Sequence, residues 1–232
     1  MNLQNLLTIG LIISSVFLAF SCSENISSIS NQIDSSSPFS SPATVEKPSI
    51  DQIKSSEIRK ILRSAGRQTE ITRSYTQKYF SIKYPNGDVP RETGACTDVV
   101  IRSFRAAGID LQKEVHEDMR DNFSKYPQKW GLSKTDTNID HRRVPNLQTF
   151  FKRRGKSLEI TKNGENFKPG DVVSWDLNGR GMTHIGVVSN IWNEKQKRYL
   201  IIHNIGGGTS LEDRLFDWEI TGHYRYFSES LH

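Results

Sequence analysis

The chain has 232 residues, 35% hydrophobic and 25% charged, with a formal net charge of +5 and two cysteines. Such a chain can bury one core of ordinary size and still carry extensions. The positive charge does not indicate a nucleic-acid binder: Lys and Arg are scattered, and the densest runs, His141-Arg142-Arg143 and Lys152-Arg153-Arg154-Gly155-Lys156, lack interleaved aromatics on which bases would stack.

Residues 6–20 form an apolar run too short to cross a bilayer comfortably, ending at Ala19-Phe20-Ser21-Cys22. Small residues before a cysteine resemble a bacterial lipobox. Residues 1–21 are therefore expected to be a lipoprotein-type signal peptide, with Cys22 lipidated and the protein exported and membrane-anchored at the cell envelope. Residues 22–49 are Ser-, Asn- and Pro-rich and read as a disordered tether. Its flexible reach is about 30 Å. Residues 50–232 are expected to form a single domain.

Within that domain Ile50, Ile53, Ile58, Ile61 and Leu62 fall near helical spacing, with Gly66 as the expected stop. Residues 75–82 read as extended, and a Pro/Gly-rich turn follows at 84–90. A helix is expected from Cys96 to Ala107, ended by Gly108, with Cys96, Val100 and Phe104 on one inward seam. Residues 110–139 read as polar and irregular, and Pro145 to Arg154 as a short helix. Strands are expected over 171–177, 182–189, 198–205 and 219–227, with a turn at Asn178-Gly179-Arg180-Gly181. Helices first and an antiparallel meander after define an α+β fold.

The chemistry centres on Cys96. A thiol at a helix N-terminus meets unpaired N–H groups and a partial positive charge, which favour a thiolate and can stabilise an oxyanion. A Cys22–Cys96 disulfide is the alternative use of the pair; acylation of Cys22 would leave Cys96 free. His184 opens a strand after a Gly turn, and alternation puts His184, Gly186 and Val188 on one face, Ile185 and Val187 on the other. His184 is the candidate base. His203 on the next strand is the expected orienting group, with Asn204 as the alternative third member. Asp98 should oppose thiolate formation unless Arg102, one turn on, neutralises it.

These residues resemble the NlpC/p60-like, papain-fold hydrolases of bacterial cell walls. In that group a helix-initial Cys precedes a His on one strand and a polar residue on the next. Longer strings, among them Gly94-Ala95-Cys96-Thr97-Asp98-Val99-Val100-Ile101-Arg102, Asn138-Ile139-Asp140-His141-Arg142-Arg143-Val144-Pro145-Asn146-Leu147 and Gly222-His223-Tyr224-Arg225-Tyr226, resemble the bacterial family DUF1287. The first resemblance implies a papain-like fold and a thiol hydrolase that cuts an amide bond in peptidoglycan peptides. An acyltransferase on the same fold, or a non-catalytic wall-binding lipoprotein, are the alternatives.

His116, Asp98, Asp140, His141, Arg142 and Arg143 are candidate substrate-binding residues. The two arginines suit a substrate carboxylate, although ion pairs with Glu117 or Asp118 would occupy them equally well. His116-Glu117-Asp118 and Asp140-His141 match no zinc spacing, so no metal or cofactor is expected. Gly206-Gly207-Gly208 reads as a turn.

Overall fold

The computed structural model describes residues 49–228. The expected signal peptide, the lipidation site Cys22 and the tether lie outside the described residues. A 3-10 turn at Ile50–Gln52 precedes helix α1 (Ser56–Ile71). α1 begins later than expected because Ser55 is the better cap: its Oγ accepts the Ile58 N–H at 3.2 Å. Gly66 does not stop it. A side chain there would meet nothing within 4 Å, so the glycine sits on an open face and costs only about 1 kcal/mol relative to Ala.

Helix α2 (Cys96–Ala106) buries Cys96, Val99, Val100 and Phe104, the expected seam. The polar region after Asp110 contains helix α3 (Leu111–Asp121), capped by the Asp110 carboxylate on the Gln112 N–H at 3.2 Å. Its buried Leu111, Val115 and Met119 are spaced four apart, a stripe that the surrounding charge conceals. Helix α4 (Val144–Arg153) starts with Pro145 in its first turn, where a missing N–H costs nothing.

Two short strands, β1 (Ser74–Tyr75) and β2 (Thr93–Gly94), pair in parallel just before α2. The main sheet is built from β3 (Val172–Asp176), β4 (Thr183–Asn193), β5 (Arg198–Asn204), β6 (Thr209–Glu212) and β7 (Glu219–Tyr224). Its order is β6-β5-β4-β3-β7, antiparallel throughout. The expected meander therefore holds for β3 to β6, while β7 returns to the far edge beside β3. The described residues thus form an α+β fold with four α-helices and an antiparallel sheet.

Alternation divides the sheet between two cores. Val172, Ile185, Val187 and Ile202 join Cys96, Val99, Phe104, Leu147, Phe150 and Phe151 in one cluster. Val173, Trp175, Val188 and Ile201 join Phe167 and Leu215 in the other. Phe104 is fully buried, with ring centroids 5.6 Å from Phe151 and 5.4 Å from Tyr226. Phe104→Ala should lower unfolding free energy by about 3–5 kcal/mol, read as a fall in the urea midpoint at constant m-value.

Candidate active site

α2 begins without a side-chain cap, because its N-cap residue is Ala95. The first-turn N–H groups are therefore not consumed by a capping oxygen. Those of Cys96 and Thr97, with the N–H of Ile185 on β4, turn toward the sulfur and favour its ionised form. They do not prevail. Burial pushes the Cys96 thiol up to about 12, and the charge of Asp98 acts in the same direction. Cys96 is free and 5% exposed.

The counter-ion of Asp98 is Arg142, not Arg102. Arg142 Nε donates to Asp98 Oδ1 at 2.9 Å and its Nη2 to Oδ2 at 3.0 Å, both side chains being buried. The same carboxylate accepts the Ala95 N–H at 2.6 Å. Arg102 is occupied elsewhere: its Nε reaches both Asp88 oxygens at 3.0 Å, and its Nη2 donates to the Val89 carbonyl at 3.1 Å. Arg142 also donates to the Lys78 carbonyl at 2.9 Å, and its own carbonyl accepts from Thr97 Oγ1 at 3.2 Å. The loop at 140–143 and the start of α2 are therefore fastened to each other beside the thiol.

His184 Nε2 and His203 Nδ1 are 2.7 Å apart, and His203 Nε2 lies 3.0 Å from Glu212 Oε2. Asn204 is turned away from this pair. Its Nδ2 donates to the Gly94 carbonyl at 2.9 Å and the Ser74 carbonyl at 3.2 Å, holding the segment that leads into Cys96. Gly186 makes the histidine pair possible. An added Cβ would meet the Ile202 carbonyl oxygen at 3.0 Å and His203 Cβ at 3.1 Å. What approaches Gly186 closely is thus the neighbouring strand, not substrate. Burial, with His203 beside it, depresses His184 to about 3, and burial depresses His203 against the opposing pull of Glu212.

Thiol and imidazole do not meet directly. Cys96 belongs to the core on the Ile185 face, whereas His184 tilts over Trp175, its cross-strand partner, at 5.8 Å and meets Trp218 edge-on at 6.0 Å. Among the described residues no hydrogen bond joins Cys96 Sγ to a histidine. The sulfur reaches β4 at the N–H of Ile185, the residue after His184.

Cys96 opens onto a cavity of about 400 Å³, whose lining includes Tyr75, Lys129, Trp130, Arg142, Arg143 and Thr183. Of the other candidates, His116, Asp140 and His141 lie behind this wall rather than in it. His116 Nδ1 is 3.4 Å from Asp140 Oδ2, which also accepts the Asp136 N–H at 2.6 Å. Burial holds the Asp140 carboxyl above its usual range and His141 down to about 3. Asp118 is taken by Arg153 at 2.6 Å and Tyr126 at 2.7 Å, so it is no partner for Arg142 or Arg143. No three His, Cys, Asp or Glu side chains among the described residues form a group suited to a metal ion.

Sequence reasoning missed Glu212, Tyr75, Lys129 and Trp130. Glu212 carried a faint signal, a carboxylate in a short run after a Gly turn, but no periodicity marks residues 129–130.

These features define an α+β protein with a buried, uncapped-helix cysteine at the floor of a cationic cleft and a carboxylate-backed histidine pair on the other face of the adjoining sheet. The chain belongs to the DUF1287 family: the family described as “Domain of unknown function (DUF1287)” matches residues 62–226. It is 49% identical over 180 residues to “Uncharacterized protein YijF” of Escherichia coli (strain K12), a match covering 78% of this chain and 87% of that protein. No solved structure matches.

The electrostatics set two measurable outcomes. Iodoacetamide should modify Cys96 slowly at pH 7, with a rate still rising through pH 10. Asp98→Asn removes the nearest negative charge and leaves Arg142 uncompensated, so the thiol pKa falls and alkylation at fixed pH speeds up by about tenfold. An unchanged rate would show that Asp98 does not act on the sulfur. The buried neutral histidines also shape the acid side. With His184 and His141 at about 3 in the fold, the unfolded chain protonates first. Their contribution is complete above the ordinary histidine value of about 6.5 and is lost as pH falls toward 3, visible as a falling urea midpoint.

Proposed function

We propose that this chain is a cell-envelope thiol hydrolase of papain-like, NlpC/p60 type, cleaving an amide bond in a peptidoglycan peptide. The observation that carries this reading is the chain His184–His203–Glu212, linked to the helix-initial Cys96 through β4, whose Ile185 packs in the same core as the cysteine. With Nε2 committed to His203, Nδ1 of His184 is the nitrogen left to accept a proton, and Glu212 fixes the second imidazole.

The thiol enters as a neutral group, since it titrates near 12 and the base near 3. Attack therefore couples S–C bond formation to transfer of the thiol proton onto His184 Nδ1, once substrate has brought the two together. Catalytic contacts that are open in a free enzyme commonly close in the Michaelis complex. The free N–H groups at the start of α2 suit the oxyanion. Collapse breaks the C–N bond, the proton passes from Nδ1 to the leaving amine, and water, deprotonated at the same nitrogen, then cleaves the thioester. Export and a lipid anchor at Cys22 place this chemistry at the envelope. Resolution of the thioester by an amine instead of water would make the same site an acyltransferase.

One observation favours a second reading, a wall-binding protein with an inert thiol: the sulfur is buried, raised to about 12 and without a histidine partner among the described residues. Purified peptidoglycan fragments separate the two. Cys96→Ala should lower amide cleavage by about 10³-fold or more while substrate still binds. Full activity in that variant would remove Cys96 from the mechanism, and binding without cleavage by the unmodified protein would favour the second reading. In an active enzyme the acid limb of kcat/KM should lie near 3, not 6.5, because the base must be neutral.

A further inference from the structure

The cleft that holds Cys96 is lined by Lys129, Arg142 and Arg143 and by no Asp or Glu. Arg142 is cancelled by Asp98, so the uncompensated charge rests with its neighbour. Arg143 Cζ sits 4.1 Å over the Trp130 ring, and its Nη1 is buried without a hydrogen-bond partner among the described residues. Asp140 and Asp136 attract Arg143 from a distance, but no hydrogen bond joins them to it among the described residues: Asp140 Oδ2 takes the Asp136 N–H and His116, and Asp136 takes Tyr79 and the Asn138 N–H. Arg143 does not cap α4 with its side chain either. A guanidinium stacked on an indole, with an unpartnered donor and no direct ion pair among the described residues, can turn its N–H groups to an anion in the cavity it lines.

We propose that Arg143, held flat on Trp130, receives a free carboxylate of the bound peptide, so that the site selects amides flanked by an unmodified carboxylate. The substrate role rests on the hydrolase reading above; the binding itself does not. A carboxylate matches this edge with two parallel N–H···O bonds, and Lys129 adds charge at the rim. Amidation of that carboxylate abolishes the charge while keeping the shape, so it acts as a chemical off-switch for recognition. Arg142, fixed by Asp98, positions the adjoining wall.

The test uses the full chain carrying Cys96→Ala, so that binding is measured without turnover. N-acetyl-alanyl-γ-glutamyl-alanine is titrated calorimetrically as the free acid and as its carboxamide. The acid should bind about tenfold to a hundredfold more tightly. Arg143→Gln should bring the acid down to the carboxamide's affinity and leave the carboxamide unchanged, while Arg143→Lys recovers part of the difference. Lys60→Gln, the same charge lost from α1, should change neither. Equal affinities for the two forms, equal losses for both in Arg143→Gln, no binding of the acid at millimolar concentration, or tighter competitive binding by inorganic phosphate would each overturn the proposal. Failure of the hydrolase reading is seen separately, in the cleavage activity of Cys96→Ala.

Discussion

The buried pair between Asp98 and Arg142 is the constraint on which the site depends. Asp98 lies in the first turn of α2, Arg142 in the loop that leads into α4, and each satisfies the other with two hydrogen bonds inside the core. Breaking such a pair from one side typically costs about 3–5 kcal/mol, because the remaining charge is stranded. Three properties follow from it. The wall of the cleft is held at the height of the thiol, the helix start is fixed through Ala95, and the cleft's remaining positive charge is left to Arg143 and Lys129.

The sheet contributes a different kind of order. Its two faces serve two cores, and β4 carries functional side chains at the boundary between them. Ile185 lies against α2 and offers its N–H to the sulfur, while His184 turns to the aromatic face. His203 and Glu212 share that second face, so the linked histidines are ordered by packing against Trp175 and Trp218 rather than by the helix. Cys96 and His184 are thus positioned by different cores, on opposite faces of the sheet.

Local patterns were legible wherever one physical rule dominated. The seam Cys96, Val100, Phe104 followed from helical spacing, and the alternation along residues 184–188 from strand geometry. α3 was obscured because Leu111, Val115 and Met119 are separated by charged residues, so composition outweighed a correct four-residue period. The return of β7 to the β3 edge is a topological choice that no short window contains. The partner of Asp98 was misjudged for a related reason. Sequence spacing finds Arg102 one turn away, but that guanidinium turns to Asp88 and the loop carbonyls, and the true partner comes from a loop remote in the chain. Parity, too, fixes which residues share a face but not which face a helix will cover, and the relation of Cys96 to His184 turned on that.

The absence of a cap on α2 has a chemical consequence beyond the positioning of N–H groups. Had a hydroxyl or carboxylate occupied position 95, it would have competed for the Thr97 N–H, and the sulfur would have lost one of its donors. Instead it sits among donors yet remains protonated, titrating near 12. At pH 7 only about one molecule in 10⁵ then carries a thiolate. Peroxides and disulfides react with thiolates, so oxidation to sulfenic acid or mixed disulfide is slower than for an exposed cysteine. A buried cysteine held in this way is stored in a form that survives oxidants.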